Sequence, residues 1–291
     1  MRNWVLAIPA AMAVFTGCSV ATPDTSQRAL HYSGGPLSSQ NFEDCIEPGT
    51  RDVTGPADFN YYYPAGQRTY TFSDRPGSDS PPIMVSSQNE GGVTELVVRG
   101  TVTFVLNTNC EPYRDDTGRY WAGGRFQKFH DTLGRQNAAF ATAGGQAQPA
   151  GWSNVLDLYV GAPAERAMDN AGLNYGWQQL YGDVNSKNAW TATVEEQLPK
   201  LIREQAGDEF FLVSNIQIDK PDVPNTLKTE LEAGQAAALR QQAAESFPGG
   251  LAAYQDDQQK QALNRAIVEG KVAAVPIPFG SPIIVAPPAG G

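Results

Sequence analysis

FFLVSNIQIDKPDVPNTLKTELEAGQAAALRQQAAE, residues 210–245, decides the fold because its apolar period changes halfway along. Phe210, Leu212, Ile216 and Ile218 fall on one face at period two, with Ser214 the only gap, which predicts a strand. Asp219-Lys220-Pro221-Asp222 stops it, since proline cannot donate to a ladder and turn residues cluster around it. Pro224 suits the first turn of a helix, where its missing N–H is not needed. From there to Glu245 the residues are good helix formers. Leu227 and Leu231 share a face, but the later apolar positions are nearly all alanine. Such a helix buries little by itself and is expected to lie against a neighbour.

Working back from this stretch, Thr94 to Leu106 reads as the clearest strand. Leu96, Val98, Val102, Phe104 and Leu106 alternate with Arg99, Thr101 and Thr103, and Gly100 marks a bulge or a close backbone approach. Shorter strands are predicted at His31–Pro36, Tyr61–Pro64, Arg68–Phe72 and Pro81–Ser86, with Pro48-Gly49 a turn. Residues 111 to 152 are turn-rich, with a helix opening at Phe126 and running through Leu133. Pro163 to Leu173 is helical by pattern, and Thr193-x-x-Glu196 resembles a capping box before a run through Ile202 that Pro199 interrupts. The fold class expected is α+β: a twisted, mainly antiparallel sheet with packed helices. A short helical stalk follows, broken at Phe247-Pro-Gly-Gly250 and resumed from Leu251 to Glu269. Lys271 to Gly291 is a Pro/Gly-rich tail that cannot be helix.

The N-terminus reads as a targeting segment. Arg2 precedes an apolar run from Val5 to Phe15, and Phe15-Thr-Gly-Cys18 follows at once, the shape of a secretory signal that resembles a bacterial lipobox. On that resemblance Cys18 is lipidated and becomes the mature N-terminus, residues 1–17 are the signal peptide, and residues 18–30 are a flexible tether. The competing reading is a transmembrane helix from Trp4 to Pro23, which Pro9 and the polar residues after Phe15 oppose. Cys45 and Cys110 then remain, and two thiols in an exported domain are expected to be bridged. No metal site is proposed, because two cysteines without histidine at ligand spacing do not complete a tetrahedral set. A net charge of −10 argues against nonspecific nucleic-acid binding and a polybasic membrane patch. No nucleotide-binding loop occurs, and no cofactor is expected.

The order P-G-T-R, Y-Y-Y-P, Q-R-T-Y-T-F, P-P-I-M-V-S-S, V-R-G-T-V-T-F-V-L-N, closing in the strand–turn–helix of residues 210–245, is similar to SPFH (Band 7, stomatin–prohibitin–flotillin) domains. It most resembles their exported lipoprotein type from actinobacteria and their phages, on Tyr32 to Pro36 and Asn107 to Cys110. The resemblance covers about residues 31 to 245 and carries no catalytic motif. It implies an SPFH domain over 31–222, a helical segment over 223–270 and the tail over 271–291. It also implies a homo-oligomeric scaffold, anchored by lipid on the extracytoplasmic face of the cell membrane, that organises or partitions membrane proteins or lipids.

No catalytic set emerges from the residues. His130-Asp131 lacks a G-x-S-x-G elbow and reads as a surface or helix-end histidine. Asp115-Asp116-x-Gly118 lacks calcium-loop spacing and reads as a charged turn. Tyr61-Tyr62-Tyr63 reads as cross-strand packing, with a stacked ligand or sugar the alternative. Glu195 and Glu196 point to different sides of a helix and are not an acid–base pair. The expectation is a non-enzymatic protein. The alternative is an extracytoplasmic binding lipoprotein that captures a small ligand or a phage or host protein, with a hydrolase third.

Overall fold

The computed structural model describes residues 19–34, 39–89, 92–246, 248–269, 273–275 and 283–285. The signal segment and Cys18 lie outside these residues. The chain divides into two compact units, to Val223 and from Pro224. The first begins with β1 (Ser19–Ala21), β2 (Gln27–Ser33), β3 (Asn41–Ile46), β4 (Asp52–Thr54), β5 (Phe59–Pro64) and β6 (Arg68–Phe72). Then come β7 (Ile83–Asn89), β8 (Gly92–Val98), β9 (Gly100–Leu106) and the short β10 (Tyr113–Arg114) and β11 (Tyr120–Trp121). The helices are α1 (Gly124–Phe129), α2 (Ala150–Leu156), α3 (Ala162–Gly172), α4 (Trp177–Gly182) and α5 (Val184–Ala206), before the last strand β12 (Phe211–Ile218). Wide π-helical turns, His130–Gly134 and Asp157–Gly161, follow α1 and α2. The second unit holds α6 (Asn225–Ser246), α7 (Gly250–Val268) and a hairpin of β13 (Ala273–Val275) with β14 (Ile283–Val285).

The class is α+β, as the sequence indicates, with antiparallel strands dealt into several small sheets. One of these has the order β12-β9-β6. Its inner face follows from register: Val102 opposes Ile216, Phe104 opposes Val213, and Leu106 opposes Phe211. A bulge between Val213 and Asn215 sets Ser214 outside the ladder. That extra residue inverts the side-chain alternation, so Phe211 rather than Leu212 shares the buried face with Ile216 and Ile218. Leu212 is consequently exposed, contrary to the period-two reading, while Phe210 is fully buried.

Thr94 to Leu106 is two strands, not one. β8 pairs with β7, whereas β9 pairs with β6 and β12. The break lies at Arg99, whose carbonyl accepts the Asp219 N–H at 2.9 Å, and on β8 Val97 exchanges both backbone hydrogen bonds with Asp222. Gly100 is the close approach expected, because a Cβ there would overlap the Gln217 carbonyl.

A second sheet has the order β3-β2-β5. The segment read as a tether is built into this part of the domain. β1 pairs with β4, and β2 begins at Gln27, inside the expected linker. Ala21 joins Ala29, Ile46, Tyr62 and Ala141 in an apolar cluster, which is what holds residues 19–30 in place. Cys45 at the end of β3 is disulfide-bonded to Cys110 beyond β9, a sequence separation of 65. Arg28 runs alongside, donating to the Thr108 carbonyl and to Glu47.

Helices cover the strands with regular apolar stripes. Trp190, Val194, Leu198, Ile202 and Ala206 recur every four residues on α5 and are all buried. Each fully buried aliphatic side chain among them stabilises by about 1.5–3 kcal/mol. Trp190 donates its indole N–H to the Met168 carbonyl of α3, and Asp169 on α3 accepts the Ser86 N–H of β7. Thr193-x-x-Glu196 is not a cap but the middle of α5. The helix starts at Asp183, whose carboxylate takes the N–H groups of Asn185 and Ser186, and it continues through Pro199. In the second unit α6 follows Pro224 as predicted, and Gly249 and Gly250 turn the chain with positive φ. Among the described residues, Ala244 is the single buried position on α6, and α7 has none.

The bridge gives a direct test of the first unit. Cys45→Ser or Cys110→Ser is expected to lower its stability by about 2–5 kcal/mol, and the two together by no more than either alone. Denaturant melts of the oxidised and reduced forms read this out; a reduced wild type with an unchanged midpoint contradicts it.

Candidate functional site

The sequence predicts His130 at a surface or helix end; it does stand at the end of α1, where the wide turn begins, but it is fully buried rather than at the surface. The aromatic run of β5 explains the difference. Tyr61 lies against the imidazole at 4.2 Å between ring centroids, Tyr32 at 5.1 Å and Phe140 at 5.7 Å. The Tyr63 hydroxyl is hydrogen-bonded to Nδ1 at 2.7 Å, and Nε2 has no partner among the described residues. Burial, helped by the Arg135 charge, pushes the histidine down to about 3, so it is neutral at physiological pH. Asp131 takes the Tyr32 hydroxyl at 3.0 Å and is not the partner of its neighbour. His130 is therefore a sealed core residue that no substrate can reach; Tyr61 and Tyr63 help to seal it, while Tyr62 faces the other way into the cluster around Ala21.

Among the described residues the same device recurs once. Tyr70 on β6 donates to Asp157, the first residue of the second wide turn, at 2.8 Å. Each turn ends on a glycine beneath its tyrosine: a Cβ at Gly134 would overlap the Tyr63 hydroxyl, and one at Gly161 would overlap that of Tyr70. The two hydroxyls lock the two places where the helical ladder is widened.

His31, which no motif singles out, sits between two carboxylates. Nδ1 is 3.0 Å from Asp44 on β3, and Nε2 is 2.8 Å from Asp58 in the turn before β5. A neutral imidazole carries one N–H, so only the protonated ring satisfies both contacts. Burial opposes that charge, but the Asp58 and Asp44 hydrogen bonds and charges outweigh it and raise the histidine above its ordinary value. The His31 hydrogen bond in turn lowers Asp58.

The charged turn at Asp115 is a structural latch. Its carboxylate takes the Thr117 hydroxyl, the Trp121 indole at 2.9 Å and the Arg119 N–H, which together hold it well below the usual range. Gly118 at φ 81° closes the turn between β10 and β11. Lys128 on α1 reaches Asp115 at 3.4 Å and Asp208 at 2.6 Å. Asp208 also accepts from Tyr113 and Arg125; burial acts against its charge, but these donors hold it down at about 2. Glu195 and Glu196 are both exposed on α5, and Glu196 pairs with Lys200. Of the expected site residues, Cys45 and Cys110 are brought together, while Cys18 lies outside the described residues. Among the described residues no three His, Cys, Asp or Glu side chains are grouped to hold a metal ion, and no helix is long and apolar enough to cross a membrane.

Two outcomes are expected. Tyr63→Phe leaves both nitrogens of the buried His130 without a partner and should cost about 1–3 kcal/mol in denaturant melts, with the fold retained by circular dichroism. A loss under 0.5 kcal/mol would sink the lock.

The histidines also set a pH profile with two limbs. His130 takes a proton in the unfolded chain below about pH 6.5 but resists it in the fold, so its contribution drains as pH falls from there towards about 3. His31 binds its proton more tightly when folded, so its contribution is full below about pH 6.5 and is lost as pH rises through its raised value. Stability should peak near neutrality. His31→Gln should flatten the alkaline limb and leave the acid limb; an alkaline limb unchanged in that variant contradicts the assignment.

The chain matches no protein-family model, and no curated protein matches it.

Proposed function

We propose that this protein is a lipid-anchored, homo-oligomeric scaffold of the SPFH type, attached through Cys18 to the extracytoplasmic face of the cell membrane. There it organises or partitions membrane proteins or lipids, and it works without catalysis. One observation carries the reading. The α+β unit is followed by a separate helical unit whose α6 and α7 bury a single residue between them, Ala244, among the described residues. Leu239, Leu251 and Val268 are left exposed. Helices gain most of their stability in water by packing an apolar face, and other copies of the same helices supply that packing in a scaffold. The Cys45–Cys110 bridge supports export, since such bonds persist in oxidising compartments. A second reading, an extracytoplasmic lipoprotein that captures a small ligand, is favoured by a polar cavity beside β9.

Light scattering after size exclusion tests the first reading. The full chain, extracted in detergent, is expected to run as a defined assembly of many copies, and a chain ending at Val223 as a monomer. A monomeric full chain rejects scaffolding by self-assembly.

A further inference from the structure

At the end of the β12-β9-β6 sheet near Gln217 the outer face is polar, whereas the inner face is apolar. Register places Thr71, Thr101 and Gln217 side by side across the three strands. This row forms part of the lining of a cavity of about 400 Å³, within the range of small-molecule sites. One wall is the turn from Ser73 to Ser78, held by the Ser73–Ser78 hydroxyl pair at 2.6 Å and by the Arg75 N–H on the Ser73 hydroxyl. Arg99 and Asp219 also line it, with the Asp219 N–H bonded to the Arg99 carbonyl.

The lining groups divide into spent and unspent. Arg99 is held by both oxygens of Asp74. The side chains of Arg75, Thr101, Gln217 and Asp219 make no hydrogen bond or ion pair among the described residues. We propose that this cavity binds a saccharide, through neighbouring ring hydroxyls.

The chemistry of the unspent groups suits that class. A guanidinium only donates and a carboxylate only accepts, so the ligand must offer both an acceptor and a donor within one small cavity. A hydroxyl is both at once, and adjacent ring hydroxyls present the two roles repeatedly. Inorganic phosphate meets Arg75 but faces Asp219 with like charge. An alkylammonium ion meets Asp219 but has nothing for Arg75. An apolar ligand would offer none of the four groups a partner. The site is also well supported, since its floor is a three-stranded ladder and the Gly100–Gln217 contact fixes β9 against β12. The inference is independent of the scaffolding reading, because a scaffold and a monomeric binder can each carry such a cavity.

Saturation-transfer difference NMR on the full chain tests it, with D-glucose, D-mannose, D-galactose and L-arabinose as probes and inorganic phosphate as the competing anion. Transfer to at least one sugar is expected, undisturbed by phosphate. Gln217→Ala and Arg75→Ala should each weaken binding roughly five- to tenfold, the loss of about one hydrogen bond. Both positions lie at the surface, and circular dichroism checks that the variants fold. Asn215→Ala, on the same outer face but outside the cavity, should bind as wild type. No transfer to any of the four sugars overturns the proposal. So does sugar binding that phosphate abolishes, or that Gln217→Ala and Arg75→Ala leave unchanged.

Discussion

The antiparallel pairing of β9 with β12 is the constraint on which the first unit depends. It joins residues far apart in the sequence, and it faces Val102, Phe104 and Leu106 inward together with Ile216, Val213 and Phe211. Phe211 is met edge-on by Phe104 and by Phe129 at the end of α1, and Phe129 also touches Phe210 and Trp152 of α2. The two short helices are thus seated on aromatic rings that the pairing presents. Gly100 admits the backbone of β12 at the one point where a side chain would hold the strands apart. A sheet of three short strands needs its apolar face covered to be stable; here helices cover it, α5 alone burying five side chains.

Much of this was legible because the signals were periodic. The strand at 210–218 and the proline start of α6 follow from spacing and backbone chemistry. What failed to read was what depends on a partner distant in sequence. Nothing local to Ser214 announces a bulge, so the alternation placed Leu212 inside. Nothing near Thr94–Leu106 reveals that its two halves serve different sheets, because Arg99 is turned by Asp74 and by the chain at Asp219–Asp222. The residues before Leu30 have the composition of a linker, and only their pairing with β4 and β5 makes them structure.

The polar residues show the same division. Asp115 could be read as a turn because its partners lie within a few residues. The environments of His31 and His130 could not be read. The first takes its carboxylates from positions 13 and 27 residues away, and the second its tyrosine from 67 residues away. Two histidines in one domain are thereby driven in opposite directions, one by carboxylates that stabilise its charge and the other by rings that exclude it.

The hydroxyl-on-glycine arrangement has a consequence for how this sequence can drift. Gly134 admits no methyl group while Tyr63 keeps its oxygen, so the glycine cannot be the first of the two to change. Once the oxygen is gone, the nearest ring atom stands 3.0 Å from where the methyl carbon would sit, a misfit that a small shift relieves. Tyr63 and Gly134 are therefore expected to change as a pair across descendants of this gene, the ring losing its oxygen before the turn gains its methyl. Gly161 and Tyr70 are placed in the same way, with the nearest ring carbon at 2.9 Å, so the same order of change is expected there.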